Sequence, residues 1–133
     1  MKKTLAIIKP DCVKKSMIGK IISRIEEEGF HIAEMKLVHL TRDDAFGFYA
    51  VHQEKVWFEE LVAFMISGDA VVLLLERENA IAHWRQVMGA TDPAKAAPGS
   101  IRQQYGFSIQ RNAVHGSDAR DTAETEIDFF FKK

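Results

Sequence analysis

The sequence predicts an α+β domain of order β-α-β-β-α-β, the ferredoxin-like arrangement, with helices covering an antiparallel sheet and one long loop standing apart. Three observations predict it. Short apolar runs at residues 5–8 and 70–75 have strand length and no helical periodicity. Apolar residues recur at helical spacing elsewhere, first as Ile18, Ile21, Ile22 and Ile25 and later as Ile81, Trp84, Val87 and Met88. Between Gly89 and Gly99 the periodicity vanishes around Pro93 and Pro98, and a loop of that length in a compact domain is often functional.

The elements follow in order. Leu5-Ala6-Ile7-Ile8 is a buried strand that ends abruptly at Lys9-Pro10-Asp11. Gly29 closes the first helix. Residues 30–40 read as a strand with Ile32 and Leu37 as core anchors. Thr41 followed by Asp44 is an acidic relative of the capping box and starts a helix carrying Ala45, Phe48 and Tyr49. Trp57, Phe58, Leu61, Val62 and Met65 form another short helix, stopped by Ser67-Gly68. The unbroken apolar run from Ala70 to Leu75 is a central strand. After the long loop, residues 107–114 are expected as the last strand and 119–131 as a closing helix.

Size and charge narrow the function. A chain of 133 residues is expected to be one domain, 1–133, with a core that needs no staples. Its 47% hydrophobic and 28% charged residues are those of an ordinary soluble protein. A net charge of −1 argues against a surface that coats nucleic acid, so positive charge for an anionic ligand must be concentrated locally. The single Cys12 excludes an internal disulfide and suits a reducing compartment. Nothing resembles a signal peptide and no stretch is long enough to span a membrane, so a cytoplasmic protein is expected.

The most informative segment is Asn112-Ala113-Val114-His115-Gly116-Ser117-Asp118. One imidazole sits between small residues, and Gly116 is expected to leave it open on one side. Ser117 and Asp118 read as the start of a helix, a place that attracts phosphate. Neutral imidazole has a free lone pair near neutral pH and can attack phosphorus without a separate base. Lys9-Pro10, after a buried strand, delivers a cation to the end of a sheet, where ligands bind in α/β folds. These features point to a nucleophilic histidine handling phosphoryl groups.

Together, Ile7-Ile8-Lys9-Pro10-Asp11 and Asn112 to Asp118 resemble the nucleoside diphosphate kinase family, in order and spacing, from about Thr4 to Phe130. The resemblance implies transfer of the γ-phosphoryl group of ATP to other nucleoside diphosphates by a ping-pong mechanism, through a phosphohistidine on Nδ1 of His115. A ring used this way must be held in one tautomer, and the resemblance gives that task to the carboxylate of Glu126. Ser117 is expected near the reacting site as a donor or helix cap. Lys9, Arg85, Thr91, Arg102 and Asn112 match residues that bind the nucleotide, and Tyr49 matches a tyrosine near the reacting phosphate. Trp57 matches a ring that stacks on the base, and stacking tolerates any base because each has a π-face. Family members commonly carry phenylalanine at Trp57, proline at Val56 and proline at Asp69. Magnesium is expected with the nucleotide phosphates rather than in a side-chain cage, with Asp118 beside its water shell or capping a helix.

His31, His39, His52 and His83 read as structural histidines, and Lys14, Lys15 and Lys95 as surface charges. A homo-oligomer, tetramer or hexamer, is expected from the resemblance. Phe129, Phe130 and Phe131 cannot all face inward from one helix end, so some are expected against a neighbouring subunit. Two rival readings remain. A non-catalytic nucleotide-binding module should have lost His115 or a phosphate ligand, and none is missing. An RNA-binding sheet should show exposed aromatics and a basic face, which the near-neutral charge disfavours.

Overall fold

The computed structural model describes residues 2–131. Its strands are β1 (Lys3–Ile8), β2 (His31–Val38), β3 (Ala70–Glu76) and β4 (Val114–Gly116). The helices are α1 (Pro10–Lys14), α2 (Ile18–Glu27), α3 (Arg42–Phe48), α4 (Phe58–Met65), α5 (Ala80–Met88), α6 (Ile101–Tyr105) and α7 (Arg120–Phe131). The sheet order is β2-β3-β1-β4, and every neighbouring pair is antiparallel. This is the predicted α+β sandwich with its helix-covered antiparallel sheet.

Alternation along β1 sends successive side chains to opposite faces of the sheet. Ala6 and Ile8 join a core with Ile21, Ile25, Trp84, Val87 and Met88, beneath α2 and α5. Leu5 and Ile7 join a second core with Ala45, Tyr49, Phe58, Val62, Met65 and Phe130, beneath α3, α4 and α7. The two central strands are therefore buried on both faces, which is why 5–8 and 70–75 read as continuous apolar runs. Thr41 and Asp44 make the expected reciprocal capping box, each side chain bonded to the other's backbone N–H.

Two expectations are corrected. Leu37 is not a core anchor; it is 62% exposed, because β2 is an edge strand with a register shift between Ile32 and Glu34. Residues 107–114 do not form a strand. The N–H groups of Phe107 and Ser108 both donate to the carbonyl of Arg111, folding the segment on itself, and pairing starts only at Val114. Next to His115, Gly116 meets a packing constraint of its own. A Cβ there would lie 2.5 Å from Cδ1 of the fully buried Trp84 and 2.7 Å from Cε of Met88.

Gly116→Ala is therefore expected to cost about 1–3 kcal/mol or more through overpacking. A drop in the urea midpoint at unchanged slope checks this; an unchanged midpoint would show that Trp84 moves aside freely.

Candidate active site

The pairing of β4 with β1 sets His115 opposite Ile7 and Gly116 opposite Ala6. Residues directly opposite in an antiparallel pair share a face. His115 thus lies on the Ile7 side, under α7, while Gly116 backs onto Trp84. Trp84 Nε1 also donates to the His115 carbonyl at 3.1 Å, tying α5 to the same strand.

Glu126 reaches His115 from α7, with Oε1 2.9 Å from Nε2. Ser117 decides the polarity of that contact. Its Oγ accepts the Leu5 N–H at 3.3 Å, and its single proton is donated to the same Glu126 oxygen at 2.8 Å. Glu126 Oε1 is an acceptor in this pair, so Nε2–H donates to it and Nδ1 keeps its lone pair. Ser117 is fully buried and caps no helix; the N-terminal turn of α7 is closed instead by Thr122. The Thr122 hydroxyl donates to Asp118 at 2.6 Å and accepts the Ala119 N–H at 2.9 Å. That bond, reinforced more weakly by Arg85 and His115, holds the Asp118 carboxyl below its usual range.

A cavity of about 670 Å³ opens in front of this pair. Lys9, Tyr49, Trp57, Arg85, Thr91, Arg102, Asn112, His115 and Glu126 all line it, so nine of the ten site residues read from the sequence converge. The tenth, Ser117, stands behind Glu126. Phe48 and Asp118 also line the cavity, as does His52, which was read as structural and packs its ring 5.3 Å from that of Trp57. Trp57 itself is 41% exposed at the rim, not packed in the core.

Two of the cations, Lys9 and Arg102, are buried and hydrogen-bonded to protein oxygens. Lys9 Nζ donates to Asn112 Oδ1 at 2.8 Å, and the Asn112 amide donates onward to the carbonyls of Thr91 and Ile109 at 3.1 and 2.8 Å. One side chain thereby fastens the long loop to the lysine. Burial, and next the charge of Arg102, lower the Lys9 pKa to about 8, with Asp11 opposing. Arg102, on α6, donates to the carbonyls of Gly89 and Val114 at 3.1 and 2.9 Å. Burial and then Arg85 lower its pKa to about 10. Its buried Nε has no hydrogen-bond partner among the described residues, and neither has the Tyr49 hydroxyl. Burial pushes the Tyr49 pKa well up, so that hydroxyl remains a donor.

Asp11 was read only as part of the N-terminal motif. Its Oδ2 accepts the Ala113 N–H at 3.1 Å and steadies Ala113 in the left-handed region at φ 76°. Only the Lys-Pro-Asp spacing hints at it.

Comparison with known proteins decides the family. The model of the family described as nucleoside diphosphate kinase matches residues 2–133. The chain belongs to the nucleoside diphosphate kinase family. It is 56% identical over 133 residues to the nucleoside diphosphate kinase of Chlamydia abortus, covering all of this chain and 94% of that one. The relative from Geotalea uraniireducens is 51% identical, with coverage of 100% and 97%. Among solved structures, the Aquifex aeolicus nucleoside diphosphate kinase superposes with a TM-score of 0.96 at 44% identity, covering 98% of this chain and 94% of that one. The Halobacterium salinarum enzyme, solved in complex with CDP, gives a TM-score of 0.96 at 38% identity, with coverage of 99% and 88%. As a nucleoside diphosphate kinase family member, the chain is a transferase that acts on nucleotides.

Two outcomes follow from the buried cations. A phosphate binds the charged lysine better than the neutral one, so affinity gained through Lys9 is present below its free pKa and lost as pH rises through about 8. ADP affinity measured by calorimetry is expected to fall from pH 7 to 9 in the wild type and to stay flatter in Lys9→Met; parallel curves would refute the shift. Arg102→Ala is expected to lower stability as well as activity, by about 1–3 kcal/mol for each buried carbonyl left unpaired. Equilibrium unfolding of the variant checks it.

Proposed function

We propose that His115 Nδ1 carries the phosphoryl group between two nucleotides bound in turn in this cavity. The observation that carries the reading is the shared Glu126 oxygen. With Nε2–H and the Ser117 hydroxyl both donating to it, the imidazole is held in the tautomer whose Nδ1 is a nucleophile.

In the first half-reaction the Nδ1 lone pair forms a bond to the γ-phosphorus of ATP. The bond from that phosphorus to the bridging oxygen breaks, and its electron pair leaves with ADP. The imidazole gains positive charge while keeping its Nε2 proton, and the Glu126 carboxylate stabilises that charge. In the second half a terminal phosphate oxygen of a nucleoside diphosphate attacks the same phosphorus. The N–P bond breaks and its pair returns to Nδ1. One site used twice gives ping-pong kinetics.

Lys9, Arg85 and Arg102 neutralise phosphate charge in this reading, Arg102 through its unpartnered Nε. Thr91 and Asn112 bind the nucleotide from the loop side. The Tyr49 hydroxyl, without a hydrogen-bond partner among the described residues, donates toward the reacting phosphate. Trp57 stacks on the base from the rim.

Among the described residues no group of three or more His, Cys, Asp or Glu side chains can hold a metal ion. A magnesium ion arriving with the nucleotide fits this donor set, because its ligands would be phosphate oxygens and water, with Asp118 the carboxylate at hand. When bound it would supply further neutralisation of the phosphates. A homo-oligomer, tetramer or hexamer, remains part of the proposal. Phe129 at the end of α7 is 43% exposed while Phe130 is buried, which suits a neighbour there; the final Lys132-Lys133 lies outside the described residues. A cytoplasmic setting rests on the single buried Cys12 and on the lack, among the described residues, of a helix long and apolar enough to cross a membrane.

The test is a phosphoryl-capture assay with γ-labelled ATP and magnesium. An acid-labile, base-stable adduct is expected, discharged by GDP to give labelled GTP. In His115→Ala the label should vanish while the folded spectrum persists. Transfer retained in that variant would sink the nucleophile assignment.

A further inference from the structure

The sequence marks Phe48 only as a residue of the helix that follows Thr41. Its ring meets four others: Tyr49 at 4.8 Å between centroids, His115 at 5.5 Å, Phe129 at 5.6 Å and Phe130 at 5.1 Å. The His115 contact is edge-to-face, with the planes at 71°. It is therefore the one residue among these ring contacts that touches both the imidazole and the end of α7.

The spacing on α7 makes that bridge consequential. Glu126, Phe129 and Phe130 stand at positions i, i+3 and i+4 and share a helix face. The polar link from α7 to His115 runs through one oxygen, Glu126 Oε1, which receives both Nε2–H and the Ser117 hydroxyl. Lys36 Nζ holds the far end of α7 to β2 by donating to the Phe130 carbonyl, but the imidazole itself meets the helix at that one hydrogen-bonded oxygen. Phe48 supplies a second point one turn further on. Close approach of α3 is built in there, since a Cβ on Gly47 would lie 3.2 Å from Cε2 of Phe129. The same ring leans on the imidazole, limiting its rotation about χ2.

We propose that Phe48 is a positioning residue for the nucleophile: it locks the His115 ring and the Glu126-bearing face of α7 against each other, so that Nε2–H and the carboxylate stay aligned through both half-reactions. This rests on the reading of His115 Nδ1 as the nucleophile. Phe48 touches no reacting atom in this account. It acts through the orientation of a ring whose lone pair must lie in line with a breaking P–O bond, where small angular errors are costly.

The test uses the full chain with Phe48→Leu, which keeps apolar bulk but removes the ring, and Phe48→Tyr, which restores it. Three quantities are read: the single-turnover rate of phosphorylation at saturating ATP and magnesium, the dissociation constant of ADP, and the ¹⁵N shifts of the His115 imidazole at neutral pH. In Phe48→Leu the rate is expected to fall about tenfold, as misalignment of a reacting group does, with ADP affinity held within about twofold. The ¹⁵N shifts should move toward mixed tautomers, and Phe48→Tyr should recover both rate and shifts. A wild-type rate and wild-type shifts in Phe48→Leu would overturn the proposal. So would a loss of ADP affinity as large as the loss of rate, since that is the mark of a cavity wall. If the wild-type protein takes no label at His115, the nucleophile reading fails by itself, and the tautomer shifts still decide whether Phe48 orients the ring.

Discussion

The short pairing of β4 with β1 is the constraint on which the site depends. It spans only Val114, His115 and Gly116, yet its register determines which face of the sheet receives the imidazole. A slip of one residue would turn His115 toward Trp84 and Gly116 toward α7. The register is pinned from both sides. The Lys9 N–H donates to the Ala113 carbonyl at one end, and the Ser117 N–H donates to the Leu5 carbonyl at the other. Asp11 adds a bond to the Ala113 N–H, fixing the turn that feeds the strand. A three-residue strand with so few ladder bonds needs such anchors, and each anchoring residue lies within or beside the two sequence motifs.

Among the buried charges around that pairing, the cations Lys9 and Arg102 outnumber the carboxylate of Asp11. Arg102 depresses Lys9, Arg85 depresses Arg102, and Asp11 opposes only the shift of Lys9. Burying cations without matching carboxylates costs stability. The arrangement persists because Arg102 and Lys9 are fastened to carbonyl and amide oxygens rather than to counter-ions. Their hydrogen bonds are thereby partly satisfied while their charge is left uncompensated. An anionic ligand then relieves a repulsion already present, which couples nucleotide binding to the stability of the fold.

Much of this was legible in the sequence, for identifiable reasons. Strands buried on both faces advertise themselves as apolar runs, and α2 and α5 show one-sided stripes, so those elements fell where expected. The Thr41–Asp44 box was equally plain because capping is local chemistry. Leu37 misled because an edge strand is composed like a core strand, and nothing local marks which sheet position it takes. Residues 107–114 misled for another reason. Phe107 and Ile109 alternate like a strand, but both are exposed and the segment folds back on Arg111. The short α6 and α1 helices were missed, since five residues show no full period. Of the site, the motif residues were visible because they cluster in sequence. The roles of Phe48 and of Asp11, itself a motif residue, were not, because they lie in contacts with residues about 70 to 100 positions away, which no window can see.

Arg102 illustrates how such a site ages. Its guanidinium is at once a cation on the cavity wall and the clasp between the end of α5 and the start of β4, through the carbonyls of Gly89 and Val114. A descendant that abandoned phosphate chemistry could lose His115 by a single change with little harm to its fold. It could not lose Arg102 so cheaply, because both carbonyls would need new donors in the same step. The electrostatic signature of the ancestral ligand would therefore outlive the activity, and an arginine found here in an inactive relative would testify to architecture, not to retained catalysis.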